Sequence, residues 1–340
     1  MNRSKSIFQD FLPIIISFGV GAVVLIFVGE SPLEIYSLML SEGFGSTRRI
    51  AATLSSATPL IFTAVATAVS FRSGVFNIGI EGAFILGGLA GAFVGFSMEM
   101  SHIFIHIFFC LLAGILVGGV WLYLPAWLRA NWKVDEVVTT LMLNFIAVAI
   151  ATGLVNGPLL AKGAGNNMTP MIHESAELLK LLPPSTLHAG FLIGLFILIL
   201  YGFFCSNSLF GFENKMVGLN EFFSKTVGIN TKKIIISSML LSGAIGGLGG
   251  SCHALGVLHR YVEGFSPGYG WTGMAIALIS KNSAIGILIG SILFGALASA
   301  GTTIQLFSDI PLDLIDVLQG TVMLLATITV FKFKKDNADR

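Results

Sequence analysis

The sequence predicts an all-α polytopic membrane protein of about ten transmembrane helices, and three observations carry that prediction. Apolar residues make up 54% of the 340, charged residues only 11%, and the mean hydropathy is +0.87, which leaves too little polar surface for a soluble globule. Apolar runs of spanning length recur from end to end, so one transmembrane domain, 1–340, uses up the chain. Basic residues, finally, segregate between alternate connections.

Taken in order, the spans are Phe11 to Val28, Ala57 to Phe71, Val75 to Phe96, Ile103 to Leu124, Val137 to Val155, Ala189 to Phe204, Ile234 to Leu255, Phe265 to Ser280, Ala284 to Leu306 and Leu314 to Phe331. The first follows Arg3 and Lys5 like a signal sequence, but VGESPLE lacks a small-residue cleavage site, so it reads as a retained helix. With the amino terminus inside, 14 of the 19 Lys and Arg residues face the cytoplasm; Arg48, Arg49, Lys162, Lys180 and Arg260 fall outside. Both termini are then cytoplasmic. An outer loop, 156–188, contains the amphipathic piece HESAELLKLL, suited to the membrane face or to an extracytoplasmic partner. An inner loop, 207–233, is charged, of helical pattern and far longer than a connector requires, which suggests a docking surface for a cytoplasmic protein.

The third span opens on FRSGVFNIGIEG, Phe71 to Gly82, which carries Asn77 and Glu81 into apolar sequence. A helix from Arg72 would lift Glu81 about 13 Å, close to the middle of a hydrocarbon core about 30 Å thick. An ionisable group at that depth lines a cavity or meets a partner; the alternative is a carboxylate that pins one helix to another. Asn77 and Glu81 share a helical face, as do Thr140 and Asn144 on the fifth span, with Asn144 about 12 Å beyond Glu136. Glu81 and Asn144 thus reach one depth, where they either line a hydrophilic path or bond to each other.

The eighth span is unusual. SPGYGWTG resists helix formation and only Met274 to Ser280 reads as helical, so the crossing is partly extended. GIEGAF (Gly79 to Phe84) and GWTGMA (Gly270 to Ala275) share a G-x-x-G at the head of an apolar helix, entered from opposite sides, the pattern of an inverted repeat of broken helices. In the seventh span Gly243 with Gly247, and Gly246 with Gly250, form overlapping GxxxG pairs for close packing. Cys110, Cys205 and Cys252 are isolated small hydrophobes, and His253 and His259 lack the ligand spacing of a metal site. H-E-x-x-H and G-x-S-x-G are absent, GLNEFFSKT is no Walker A loop, and nothing implies a cofactor, a catalytic residue or a nucleic-acid partner.

FRSGVFNIGIEG, VDEVVTTLMLN, VGLNEFFSKTVGI, LSGAIGGLGGS and GYGWTGMAIALISKNSAIGILIGSILFGAL stand in the same order as in permease subunits of ABC importers for simple sugars and nucleosides, and the chain after its first span resembles them throughout. The FNIGIEG form is most similar to the nucleoside branch, whose partners are lipid-anchored binding proteins of the basic membrane protein type. The resemblance implies a non-enzymatic permease subunit in a bacterial cytoplasmic membrane. It would pair with a second permease, identical or homologous, with cytoplasmic ATP-binding subunits and with an extracytoplasmic binding protein. It also implies a coupling element at Gly218, Leu219, Asn220, Gly228 and Ile229; where relatives commonly carry two alanines this chain has Phe222 and Phe223, an exposed apolar knob. The path or gate is expected at Asn77, Gly79, Glu81, Thr140, Asn144 and Trp271, with Phe76 or Trp271 available to stack on a base. The alternatives are a permease for a simple sugar such as a pentose, and a self-contained ion-coupled secondary transporter using Glu81.

Overall fold

The computed structural model describes residues 31–307 except 164, together with positions 19, 22, 23, 25, 26 and 320. The expected first and tenth spans therefore lie almost wholly outside the described residues. Helices among the described residues are α1 (Pro32–Phe44), α2 (Thr47–Arg72), α3 (Ile80–Ser97), α4 (Ile103–Trp121), α5 (Tyr123–Trp132), α6 (Glu136–Val155), α7 (Gly190–Asn207), α8 (Leu209–Leu219), α9 (Glu221–Thr226), α10 (Thr231–His253), α11 (Tyr269–Ile279) and α12 (Ala284–Phe307). Isolated bridges join Met168 to Val262 and Lys180 to His188, and the described residues contain no strand.

The protein is an all-α polytopic membrane protein. Seven helical stretches are long and apolar enough to cross a membrane, with α4 and α5 forming one of 30 residues, and α11 is a shorter apolar helix. These eight correspond to the eight expected spans within the described residues; a count of ten is not reached there. The layering follows the residue types. Helices α2, α3 and α10, rich in Gly, Ala, Ser and Thr, are buried, whereas the Leu-, Ile- and Phe-rich α4, α6 and α7 leave most of their side chains facing outward. Small residues let backbones approach, and bulky ones suit lipid.

The GxxxG helix α10 shows this directly: Gly243 and Gly247 abut the backbone of Gly118 and Gly114 on α4, while Gly250 abuts Phe84 and Gly88 on α3. Small residues on all three helices form the seam. The Ser251 hydroxyl crosses it, donating to the Gly87 carbonyl at 2.9 Å.

Four expectations need correction. Helix α2 begins at Thr47, ten residues before Ala57, because Ser46 caps it by accepting from the Arg49 N–H at 3.3 Å. Helix α3 starts at Ile80 rather than Val75, since Ser73, Gly74 (φ +78°) and the following residues break the chain between α2 and α3. Glu81 therefore sits in the first turn of a new helix, and the 13 Å rise along an unbroken one does not apply. HESAELLKLL forms only a short 3-10 turn at Glu174–Ala176 before the Leu178 N–H turns to the Leu255 carbonyl at 3.2 Å, and Ala176 and Leu178 are buried. Finally, α11 becomes helical at Tyr269 rather than Met274. Its first turn is stabilised by Ser266, whose hydroxyl accepts from the N–H groups of Gly268 and Tyr269 at 3.3 and 3.1 Å, and by a carboxylate from α3.

Candidate functional site: the broken helices

Residues 73–79 are an unwound stretch between two buried helices, so their backbone groups need partners from elsewhere. Helix α6 supplies partners to this stretch and to the first turn of α3. The N–H of Phe76 donates to Glu136 Oε1 at 3.3 Å, that of Ile78 to Thr140 Oγ1 at 3.2 Å, and that of Gly82 to Asn144 Oδ1 at 2.9 Å. Asn144 Nδ2 in turn donates to the Ile78 carbonyl at 3.0 Å. Asn77 closes the turn locally, its Oδ1 accepting from the Gly79 N–H at 2.9 Å, while its Nδ2 donates to Ser242 Oγ on α10 at 3.1 Å. Thr140 and Asn77 are fully buried and Asn144 nearly so.

Spacing on the sequence brings these groups together. Glu136, Thr140 and Asn144 recur every four residues and form one stripe along α6, matched to the climbing backbone of the break. Asp135 starts that helix by accepting from the N–H groups of Val137 and Val138, and Arg129 holds Glu136 in a 3.1 Å ion pair. Glu136 and Ser242 were not singled out from the sequence, although a carboxylate opening an apolar span was a visible signal.

Glu81 faces the other way. Its Oε2 accepts from the N–H of Gly270 in the first turn of α11 at 2.6 Å, and its carboxylate also accepts from the Ser266 hydroxyl. The first turns of α3 and α11 thus meet across one carboxyl group, set at the positive ends of both helix dipoles. Glycine at 270 is required by the close approach: a methyl there would lie 2.6–2.7 Å from the Glu81 nitrogen, Cα and Oε2. Gly273, one turn on, presses in the same way against Thr63 and Ala64 of α2: a methyl built there would lie 2.8 Å from the Ala64 nitrogen.

The two G-x-x-G motifs behave alike. Gly79 packs against Leu122 and Thr140, and Gly82 against Ala147, Asn144 and Trp121. Trp271 keeps 38% of its surface exposed and Phe76 36%, with the Phe76 ring stacked on Phe71 at 4.6 Å.

At the 207–233 segment, α8 and α9 are joined at Asn220, whose side chain accepts from the Phe223 N–H at 2.9 Å and so caps α9. Gly228 (φ +92°) turns the chain towards α10, and the Ile229 N–H returns to the Ser224 carbonyl at 3.0 Å. Lys133 pairs with Glu221. Gly218 is pressed against the Arg72 carbonyl and lies 3.1 Å from a methyl built on Gly74; Asn214 Nδ2 donates to the Val69 carbonyl at 3.1 Å. The hairpin is therefore seated on the end of α2 and on the break itself. Leu219 and Phe222 are 70% and 82% exposed, and Phe223 is half exposed.

On the opposite side, segment 167–189 is stitched to the chain between α10 and α11. The N–H of Thr169 donates to the Tyr261 carbonyl, that of Ile172 to His259 and that of Leu178 to Leu255, while the Tyr261 N–H donates to Thr169 Oγ1 at 3.0 Å. His188 is buried at this junction, with Nδ1 accepting from the Gly190 N–H at 3.1 Å and Nε2 unpartnered. Burial, and secondarily the nearby His259, lowers its pKa to about 4.

In this helical membrane protein the first turn that follows the α2–α3 break meets the first turn of the short helix α11, and discontinuous helices of this kind recur in transport proteins. Residues 49–327 match the family described as the branched-chain amino acid transport system permease component, and the chain belongs to that family. It is 31% identical over 330 residues to the guanosine ABC transporter permease protein NupP of Bacillus subtilis (strain 168), covering 95% of this chain and 94% of that one. Similarity to the nucleoside ABC transporter permease protein NupB of Lactococcus lactis subsp. cremoris is 30% over 336 residues, 96% and 92% of the two chains. The glucose ABC transporter permease protein TsgB13 of Haloferax volcanii is 31% identical over 334 residues, 94% of this chain and 87% of the other. No solved structure matches.

Proposed function

We propose that this chain is the permease subunit of an ATP-driven importer and forms the path for nucleosides across a bacterial cytoplasmic membrane. The observation that carries the reading is the similarity to two nucleoside permeases over at least 95% of this chain. One membrane domain contains the path; ATP is hydrolysed in separate cytoplasmic subunits, which meet the hairpin at Gly218, Leu219, Asn220, Phe222, Phe223, Gly228 and Ile229. A second permease, homologous or identical, faces this one, and an extracytoplasmic binding protein delivers the substrate over 156–188. Asn77, Gly79, Thr140 and Asn144 hold the break in shape, Trp271 lies beside the path, and the Glu81–Gly270 contact is its gate.

A glucose permease relative of equal identity supports a second reading, a simple-sugar path. Uptake of labelled nucleosides and sugars into vesicles holding the complete complex separates the two. ATP-dependent nucleoside accumulation is expected. Sugar accumulation without nucleoside uptake would favour the second reading, and proton-coupled uptake by the purified chain alone would sink both.

A further inference from the structure

Five rings meet beside the Glu81–Gly270 contact. Phe84, one turn beyond Glu81 on α3, has its ring centroid 5.6 Å from Phe265, 5.5 Å from Tyr269 and 6.1 Å from His253. His253 lies 5.3 Å from Phe265 and 5.2 Å from Tyr269, and Tyr261 stacks on Phe265 at 4.7 Å. These rings come from four pieces of chain: α3, the end of α10, the connection to α11 and the first residue of α11. The cluster is therefore a junction between segments rather than one helix's packing face. Moving α11 and its connection off α3 would part Phe265 and Tyr269 from Phe84 and His253, leaving a slot with ring faces on both walls.

One atom in this cluster is out of place for packing alone. His253 is 8% exposed, and its Nδ1 is buried without a hydrogen-bond partner. An unpaired ring nitrogen among aromatic side chains is costly, and each such group in a native fold calls for a reason. A nucleobase supplies both things the cluster is built to meet: a flat π-face for the rings, and an edge of donors and acceptors for Nδ1 and for the Glu81 carboxylate once Gly270 has left it. A free sugar has hydroxyls and an apolar C–H face, but neither a π-face nor a heteroaromatic edge of donors and acceptors.

We propose that the Phe84, His253, Phe265 and Tyr269 cluster is the nucleobase-binding site of the path, filled when the Glu81–Gly270 contact opens. The assignment rests on the nucleoside reading. With the contact made, the rings of Phe84, His253, Phe265 and Tyr269 fill the space themselves in tilted and edge-to-face pairs, and the connection before α11 closes the slot.

Photolabelling tests this in the complete complex, using a radiolabelled azido-purine nucleoside with ATP to drive turnover. The expected result is an adduct on Phe84 or within residues 253–269, suppressed by excess free nucleobase and unaffected by ribose. His253→Phe, which keeps the ring and removes the nitrogens, should reduce labelling tenfold or more while the complex assembles and melts as before. Should that variant fail to assemble, Phe84→Leu and Tyr269→Leu make the same comparison. Nucleoside uptake by the wild type with the adduct elsewhere on the chain, or with labelling unchanged in the assembled variants, would overturn the site and leave the nucleoside reading standing. Absence of nucleoside uptake by the wild type would overturn both.

Discussion

Glu81 does two jobs that substitution can separate. Its carboxyl oxygens satisfy the Gly270 N–H and the Ser266 hydroxyl, and it places an ionisable group at two helix N-termini. Glu81→Gln keeps an oxygen for the Gly270 N–H and loses the ionisable group; the expected outcome is a complex that assembles and melts within a few degrees of wild type but transports several-fold more slowly. Glu81→Ala removes both acceptors and leaves a buried N–H unpaired, which costs about 1–3 kcal/mol, measurable as a fall in melting temperature. Equal, small effects of the two on both readouts would mean that the contact is neither gate nor fastener. His188 gives a pH prediction. Its folded pKa of about 4 lies below the usual value near 6.5, so the unfolded chain binds the extra proton between these values and stability falls as pH drops through that window. The whole shift corresponds to about 3 kcal/mol, fully present above pH 6.5. Thermal melts of the purified protein from pH 7 to 4 should show the decline, and His188→Asn should flatten it.

Among the elements, the α2–α3 break and α6 form one unit, because α6 holds the partners that the unwound backbone lacks. Asn144→Leu leaves the Gly82 N–H and the Ile78 carbonyl unpaired in one step. It should cost about 2–4 kcal/mol from two buried groups, more than Val138→Leu on the outward face of the same helix, and the difference reads directly in melting curves. Most long helices were legible in the sequence because lipid demands long apolar runs. The break was not placed, since FRSGVFNIGIEG continues the apolar pattern and only the positive φ of Gly74 and the polar stripe of α6 show where the helix stops. Helix α1 went unread for the opposite reason: PLEIYSLMLSEGF has no spanning run, although Ile35, Met39 and Gly43 recur every four residues, and the first two pack with Leu297 and Ala300 of α12. In α11 local propensity misled, because the glycines that weaken a helix alone are those that let it press against α2 and α3. Asn77, Thr140 and Asn144 were legible as polar groups in lipid; that they serve backbone followed only once the break was known.

Across the whole molecule, contacts run without a gap from one face to the other. The α8–α9 hairpin rests on Arg72 and Gly74 through Gly218, the break that begins there leads to Glu81, Glu81 holds α11, and the connection before α11 is stitched to segment 167–189. Spatial continuity becomes coupling only if the ends respond to each other, and the hairpin is the end where this can be measured. Phe222 is 82% exposed beside Leu219 and belongs to a helix of six residues whose own packing rests on Ser224, so the ring contributes little to the fold. Buried in a partner groove, each such ring is worth about 1.5–3 kcal/mol, and Phe222→Ser should weaken association with the ATP-binding subunit by roughly tenfold to a hundredfold. Melting of the isolated chain should not move. Gly218→Ala is the complementary probe: it leaves the exposed rings in place but forces the hairpin off Arg72 and Gly74. Binding of the ATPase should then persist, while transport per ATP hydrolysed falls, because the hairpin no longer bears on the break. If the glycine variant transports at the wild-type ratio, the hairpin docks the ATPase without driving the gate through α2, and the connection to Glu81 would have to run through α10 instead.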